Sequence, residues 1–463
     1  MKKTILAFFV FCNISSFAQS VPLPNKAQLA WQQAELGVVF HYDLHVFDTS
    51  LYKQSGNRIV PIADYNIFNP RQLNVEQWVV AAKSAGAKFA LFTVTHETGF
   101  ALYQSDVNPY CLKAVKWKDG KGDLLRDFVD ACRKHDILPG AYIGIRWNSF
   151  FGVHDFKVNG TGDIQKMRQA YYNKMIEGMV KEICTRYGNL FEIWFDGGAS
   201  HPDKGAPDVL PIVKKYQPDA LFYHNDQLAE ARWGGSETGT VGYPCWATFP
   251  YSHTGSGESA VADLTKDNYA LLKHGDMNGK YYMPAMADAP LRGYNGRHEW
   301  FWEPGDEKHI FPLEHLIDLY YKSVGRNATL ILGLTPDNNG LLPEPDVRRM
   351  QEFGNEIKRR FSLPAAITSG NNNVIQINLK KKQPVNQVVI QEEIAKGQRV
   401  KKFSVQAMLK GKWVNVIEGT SIGHKFIHLL PQPIVSNKWR LVINDSFDQA
   451  AISNFSVYHI STK

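Results

Sequence analysis

From Leu36 to about Arg360 the chain alternates short apolar runs with longer amphipathic stretches. Val38–His41 reads as a strand, Val75–Ala85 as a helix with Asn74 as its cap and Gly86 at its end, and Lys88–Val94 as the next strand. Asp123–Lys134 predicts a helix before strand Ala141–Ile145, and Ile164–Arg186 a long helix before strand Phe191–Phe195. Leu210–Tyr216 is a shorter helix ahead of strand Ala220–Tyr223; Leu313–Val324, Ala328–Leu334 and Pro345–Arg360 read as helix, strand and closing helix. Repeated strand-helix units build a parallel sheet, and a run this long favours a closed (β/α)8 TIM-like barrel over an open doubly wound sheet. No G-x-G-x-x-G follows the first strand, which counts against a dinucleotide fold.

After Arg360 the period changes. Val374-Ile-Gln-Ile-Asn-Leu, Lys402-Phe-Ser-Val-Gln-Ala and Trp439-Arg-Leu-Val-Ile alternate or run apolar between polar turns, which predicts a β-sandwich over residues 361–463. Such a module either binds carbohydrate or braces the barrel, and nothing in the sequence marks a second ligand site. Ahead of the barrel, a basic start at Lys2-Lys3, an apolar run from Ile5 to Phe11 and Ser16-Phe-Ala18 form a secretory signal over residues 1–18, cut after Ala18. The run is far short of the roughly 20 apolar residues that span a bilayer. Phe11 before Cys12 is too large for a lipoprotein signal. The expectation is an exported protein, periplasmic or secreted and not inserted in a membrane, with its barrel at 19–360.

Four cysteines remain after that cut, Cys111, Cys132, Cys184 and Cys245, with no C-x-x-C spacing; buried thiols are expected, with an oxidised pair as the alternative. The formal charge of +7 is spread along the chain rather than clustered, which gives no support to nucleic-acid binding. Aromatic residues make up 12% of the chain, suited to stacking on the apolar faces of sugars and equally to a large core.

The candidate chemistry sits in Leu190–Gly198, L-F-E-I-W-F-D-G-G, where an apolar strand delivers Asp196 to its end and two glycines let the backbone turn away. Farther on, Arg232–Gly239, R-W-G-G-S-E-T-G, places Glu237 in a glycine-rich loop. Two carboxylates of this kind are what glycoside hydrolysis uses, one as nucleophile and one as acid and then base. Taken singly, the Asp is also a turn former and the Glu a solvated loop residue. His41, His96, Trp147, Asp196 and His224 all fall at or just after predicted strand ends, the face where barrel active sites lie. His41 and His45 have i, i+4 spacing, but without a third ligand nearby no metal site is predicted.

With these residues in view the chain resembles the α-L-fucosidases of glycoside hydrolase family 29 over almost its whole mature length. The matching segments include L-G-V-V-F-H at 36–41, F-N-P-R-Q-L-N-V-E-Q-W at 68–78, H-E-T-G-F-A-L-Y-Q-S at 96–105, W-F-D-G at 194–197 and Y-Y-K-S-V-G-R-N-A-T-L-I-L-G-L-T-P-D-N-N-G-L-L at 320–342. The resemblance implies that Asp196 is the nucleophile. In the subgroup preferring α-1,3 and α-1,4 linkages, an R-W-x-G-N-E-x-G segment carries the acid/base. That implies the role for Glu237, with Ser236 in place of Asn and Arg232 on the substrate side.

The mechanism so implied is double displacement on a fucosylated oligosaccharide or glycoconjugate, with no cofactor. Glu237 is to be protonated when substrate binds, by burial or by the neighbouring acid. His41 and His96 would bind sugar hydroxyls, the alternative being ordinary buried histidines; Trp147, Trp194 and Trp246 would wall the sugar methyl, the alternative being core packing. The family's K-H-H-D-G-F is Thr95-His-Glu-Thr-Gly-Phe100 here, so Glu97 replaces a sugar-binding His. A carboxylate is a strong acceptor for sugar hydroxyls, and the change leaves open a related galacto-configured sugar such as a β-galactoside. A silent carbohydrate-binding protein is the remaining alternative, against which the intact pair of acids argues.

Overall fold

The computed structural model describes residues 21–48, 60–254, 266–297 and 299–461, so the signal segment at 1–18 lies outside the described residues. Eight parallel strands form the barrel: β1 (Leu36–Phe40), β2 (Phe89–Thr95), β3 (Leu138–Gly144), β4 (Glu192–Ala199), β5 (Leu221–Asn225), β6 (Arg232–Trp233), β7 (Ala285–Pro290) and β8 (Ala328–Leu334). Their order across the sheet is β5-β4-β3-β2-β1-β8-β7-β6. The barrel is closed except at one seam. There the Glu230 N–H donates to Phe222 O (3.2 Å), and the Glu230 carboxylate accepts from Phe222 N–H (2.7 Å) and from Lys214 (2.8 Å).

The helices on the outside are α2 (Val75–Ser84), α3 (Leu124–Lys134), α4 (Gly162–Arg186), α5 (Leu210–Tyr216), α6 (Lys266–His274), α7 (Leu313–Lys322) and α8 (Glu344–Phe361), after an opening helix α1 (Lys26–Ala34). The caps follow the sequence signals: Asn74 Oδ1 accepts from Gln77 N–H, and Asp123 Oδ1 from Arg126 N–H. Every position of β1, β2 and β8 is buried, as strands covered by helices on one side and barrel filling on the other require. Gly37 is fixed by packing, since a Cβ there would lie 2.3 Å from the Phe89 ring.

Two strands differ from the sequence reading, which predicts neither β6 nor β7. β6 is only two residues long, and β7, A-M-A-D-A-P, has no β-branched or aromatic residue to mark it. The remaining predicted barrel elements are present, with ends displaced by a few residues. All four described cysteines are buried free thiols. Among the described residues no helix is long and apolar enough to cross a membrane.

Helix α1 plugs the base of the barrel. Gln28 donates to Glu230 O (2.9 Å) and Tyr282 O (2.6 Å), and Trp31 Nε1–H donates to Glu192 Oε2 (2.8 Å). Glu192 points into the barrel from the start of β4, and burial lifts its carboxyl to about 8, the Trp31 hydrogen bond offsetting part of the rise. The sign of its effect on stability follows. The unfolded chain gives up this proton near the ordinary carboxylate value while the folded chain keeps it, so the stabilisation is full at low pH and is lost as pH rises through about 8. Glu192→Gln retains the acceptor for Trp31 and has no proton to lose. Its melting temperature is expected to stay near wild type at about pH 5 and to exceed it at about pH 8; equal melting curves at both pH values would show that Glu192 is ionised in the folded state.

The C-terminal domain is one antiparallel sheet, β9 (Ala366–Gly370), β10 (Val374–Glu392), β11 (Val400–Leu409), β12 (Lys412–Gly419), β13 (Phe426–Ser446) and β14 (Ile452–Tyr458), in the order β9-β14-β10-β13-β11-β12. The long strands β10 and β13 lose register between Asn378 and Gln383 and again between Val385 and Gln387. Such irregularities let strands bend, and the sheet closes sandwich-like over Val388, Val405, Trp439, Leu441 and Phe455. It is fastened to the barrel by polar contacts. Gln398 Oε1 accepts from Ala247 N–H (2.8 Å) and Asn327 Nδ2 (3.1 Å), and Glu35 Oε1 takes a hydrogen bond from His424 Nε2 (2.8 Å). Burial alone would raise the Glu35 carboxyl, but Lys425 and His424 outweigh it and bring it to about 2.

Candidate active site

Strand alternation decides what faces the barrel interior. On β4, Glu192, Trp194 and Asp196 share one side, with Ile193 and Phe195 on the other. Register then sets Tyr142 of β3 beside Trp194, Tyr223 of β5 on its other side, and Gly144 level with Asp196. The rings touch, with centroids 5.5 Å apart for Tyr142–Trp194 and 5.0 Å for Trp194–Tyr223. They form an aromatic floor one layer below Asp196. The Tyr142 hydroxyl hydrogen-bonds Asp196, and burial together with that carboxylate keeps it un-ionised, far above the usual phenol value. Gly197 and Gly198, both in the left-handed region with φ of 64° and 91°, turn the chain away immediately after the acid. A Cβ at Gly197 would also strike Arg146 Cδ at 2.6 Å.

Glu237 reaches the same end of the barrel from the loop after β6. Both ends of that loop are pinned to β7, Gly234 N–H donating to Met286 O and Gly239 N–H to Asp288 O, each at 2.8 Å. Trp300 Nε1–H donates to Glu237 Oε2 (3.0 Å), which orients the half-buried carboxyl. Ser236 bonds Thr238 (2.9 Å), which bonds Thr240 (3.0 Å), a hydroxyl chain along the loop.

His41 and His96 close the opposite wall. His96 stacks on Tyr142 at 5.4 Å with 12° between the planes, and His41 lies 5.7 Å from His96, 5.0 Å from Trp300 and 5.4 Å from Phe301. Burial, and next the nearby His45, lower His41 to about 3, so it is a neutral imidazole at physiological pH. Glu97 is buried, and its charge is felt by Tyr142. Beside it Thr98 donates to Asp43 (2.6 Å), whose carboxyl burial raises to about 7. Trp147 lies in the loop after β3, its ring 4.1 Å from that of His154 and under the Arg146 guanidinium. His224 is the penultimate residue of β5; its side chain is outside the described residues.

Two expected substrate contacts are elsewhere. Arg232 begins β6 level with Ala285, at the base of the barrel, and is fully buried. Its guanidinium donates to Leu272 O (3.0 Å), Met283 O and Cys245 Sγ (3.4 Å), so it holds α6 and the β7 approach together and does not face the strand ends. Trp246 belongs to the same base: its N–H donates to His274 O (2.8 Å) at the end of α6. Conversely, Tyr142, Tyr223, Trp233, Asp288, Trp300 and Phe301 belong to the site and are absent from the sequence reading. Asp288 carries the signal used for Asp196, a lone acid in an apolar run, but in a strand that the reading does not predict.

Carboxylates converging at the C-terminal strand ends of a barrel, over an aromatic floor and beside two buried histidines, are the equipment of a glycoside hydrolase. Residues 25–360 match the family model for alpha-L-fucosidase, and residues 355–456 match the F5/8 type C domain. Alpha-L-fucosidase 1 of Arabidopsis thaliana is 26% identical, over 99% of this chain and 94% of its own length. A crystal structure from Bacteroides thetaiotaomicron VPI-5482 is 57% identical and superposes with a TM-score of 0.92 over 96% of this chain and 100% of that one. A glycoside hydrolase 29 family member from an unknown rumen bacterium is 28% identical, with a TM-score of 0.79 over 96% of this chain and 78% of its own. The chain belongs to the α-L-fucosidase family, glycoside hydrolase family 29.

Proposed function

We propose that this enzyme removes terminal α-L-fucose, linked α-1,3 or α-1,4, from exported or extracellular oligosaccharides and glycoconjugates with retention of anomeric configuration. Asp196 attacks the anomeric carbon as a carboxylate while Glu237 gives its proton to the departing oxygen. Water then donates a proton to Glu237 and its oxygen to the anomeric carbon, releasing fucose and restoring both acids. The observation that carries the reading is the opposition of Asp196, set over the Tyr142 hydroxyl, to Glu237, gripped by the Trp300 indole. His41, His96 and Glu97 line the sugar's polar edge, and the rings of Trp300 and Phe301 cover its apolar side. The linkage rests on the likeness of R-W-G-G-S-E-T-G to the subgroup segment, and export on residues 1–18.

A second reading, hydrolysis of a related galacto-configured sugar, is favoured by Glu97 and by Thr98, whose hydroxyl is bound to Asp43. Both are tested by incubating the enzyme with α-1,2-, α-1,3-, α-1,4- and α-1,6-fucosylated and β-galactosylated oligosaccharides while proton NMR follows the first sugar released. Fucose appearing first as its α anomer from the 1,3 and 1,4 linkages is expected. Release of galactose would install the second reading, and a first-formed β anomer of fucose would exclude retention.

A further inference from the structure

We propose that Asp288 is a positioning residue for Glu237: the two carboxyl groups hold one proton between them through the neutral range, so Glu237 retains access to a proton where a lone carboxyl has none. The inference rests on Glu237 acting as acid/base. Asp288 lies on the inward-facing side of β7, two residues before its end, and is 4% exposed. Its carboxyl accepts from Trp233 Nε1–H (3.0 Å), as Glu237 accepts from Trp300, so each acid is oriented by an indole. Its own carbonyl takes the Gly239 N–H, which ties the loop carrying Glu237 to the backbone of Asp288.

The titratable groups facing Asp288 are Glu237 from the β6 loop, Asp196 from β4 and Tyr223 from β5, with Tyr142 of β3 behind Asp196. Burial pushes Asp288 well above the usual carboxylate range, and Glu237 and then Asp196 add to the push against the Trp233 hydrogen bond. Asp196 must be anionic to attack. A second and a third negative charge in the same buried cluster are each opposed by those already there, so the pair keeps a proton.

Asp288→Asn preserves size and the acceptor for Trp233 but removes the partner in titration. Its kcat/KM against pH is expected to fall off earlier than wild type on the alkaline side, by about one pH unit, making the loss about tenfold greater there than at the acid optimum. An alkaline limb that coincides with wild type, or a loss equal at every pH, would overturn the proposal. A second measurement does not depend on turnover. Infrared difference spectra at neutral pH, wild type minus Asp288→Asn, should show the carbonyl stretch of a protonated carboxylic acid, the contributions of Glu192 and Asp43 cancelling because both proteins keep them; absence of that difference band would equally overturn the proposal. Glu237→Gln separates the two levels. Undiminished hydrolysis by that variant removes the acid role while the infrared difference band stands, whereas an inactive variant with no difference band between wild type and Asp288→Asn leaves the role and removes the pair.

Discussion

Asp196→Asn should lower turnover by roughly three to six orders of magnitude, the range over which loss of a covalent nucleophile is felt in other hydrolases. The substitution keeps the shape at the end of β4 and an acceptor above the Tyr142 hydroxyl, so the melting temperature should hardly move. The half-buried position of Asp196 supports that separation: it sits above the aromatic floor, and the buried packing of β4 is made by Ile193, Trp194 and Phe195. Binding should survive, because His41, His96 and the ring faces remain. Stopped assays with an activated aryl fucoside, alongside titration calorimetry with fucose, read both quantities. More than about a tenth of wild-type turnover would move the nucleophile to another acid, and a collapse of the melting temperature would make the residue structural.

What the sequence makes legible here follows from physical period. The barrel appears because helices α2 and α3 carry caps and strands β1, β2 and β4 are mostly apolar; Asp196 appears because a charge ends one of those strands' apolar stretches. Asp288 stays hidden because A-M-A-D-A-P looks like neither strand nor helix, and its burial comes only from neighbours far away in the chain, β8 on one side and β6 on the other. Trp300 and Phe301 lie in an aperiodic loop, and nothing local tells that Trp300 reaches Glu237 across 63 positions.

Arg232 shows the opposite error, in which nearness along a motif is taken for nearness in space. Five steps along the chain separate it from Glu237, a reach of up to roughly 16 Å, which is enough to put one at the base of the barrel and the other at its mouth. Its environment agrees, since a guanidinium fully buried at the base of the barrel and bound to two backbone carbonyls and the Cys245 sulfur fastens chain segments and does not reach a sugar at the strand ends.

Glu237→Ala should separate the two halves of the catalytic cycle. A natural glycan leaves as a poorly stabilised alkoxide and needs the proton, so its hydrolysis should fall by about two to four orders of magnitude, the usual range for a positioned general acid. An aryl fucoside with an acidic phenol leaves as a stable anion, so formation of the fucosyl-enzyme on Asp196 should be nearly unaffected. The second half still lacks its base, and the intermediate should accumulate, giving a burst of phenol followed by a slow steady state. Azide is an anion that requires no general base, and truncation of Glu237 opens room beside the anomeric carbon. Added azide should therefore restore turnover and yield α-fucosyl azide, of the same anomeric configuration as the substrate, because Asp196 inverts the centre once and azide, attacking the intermediate from the face opposite Asp196, inverts it again. The Trp300 indole, now without its acceptor, predicts a companion effect. Trp300→Phe should show a weaker form of the same pattern, with natural glycans more impaired than activated aryl fucosides, because Glu237 remains but is no longer oriented. Equal losses on all leaving groups in Glu237→Ala, with no azide product, would assign the proton transfer to a different residue. Glu97, buried on the opposite wall within the field of Tyr142, is then the first to replace.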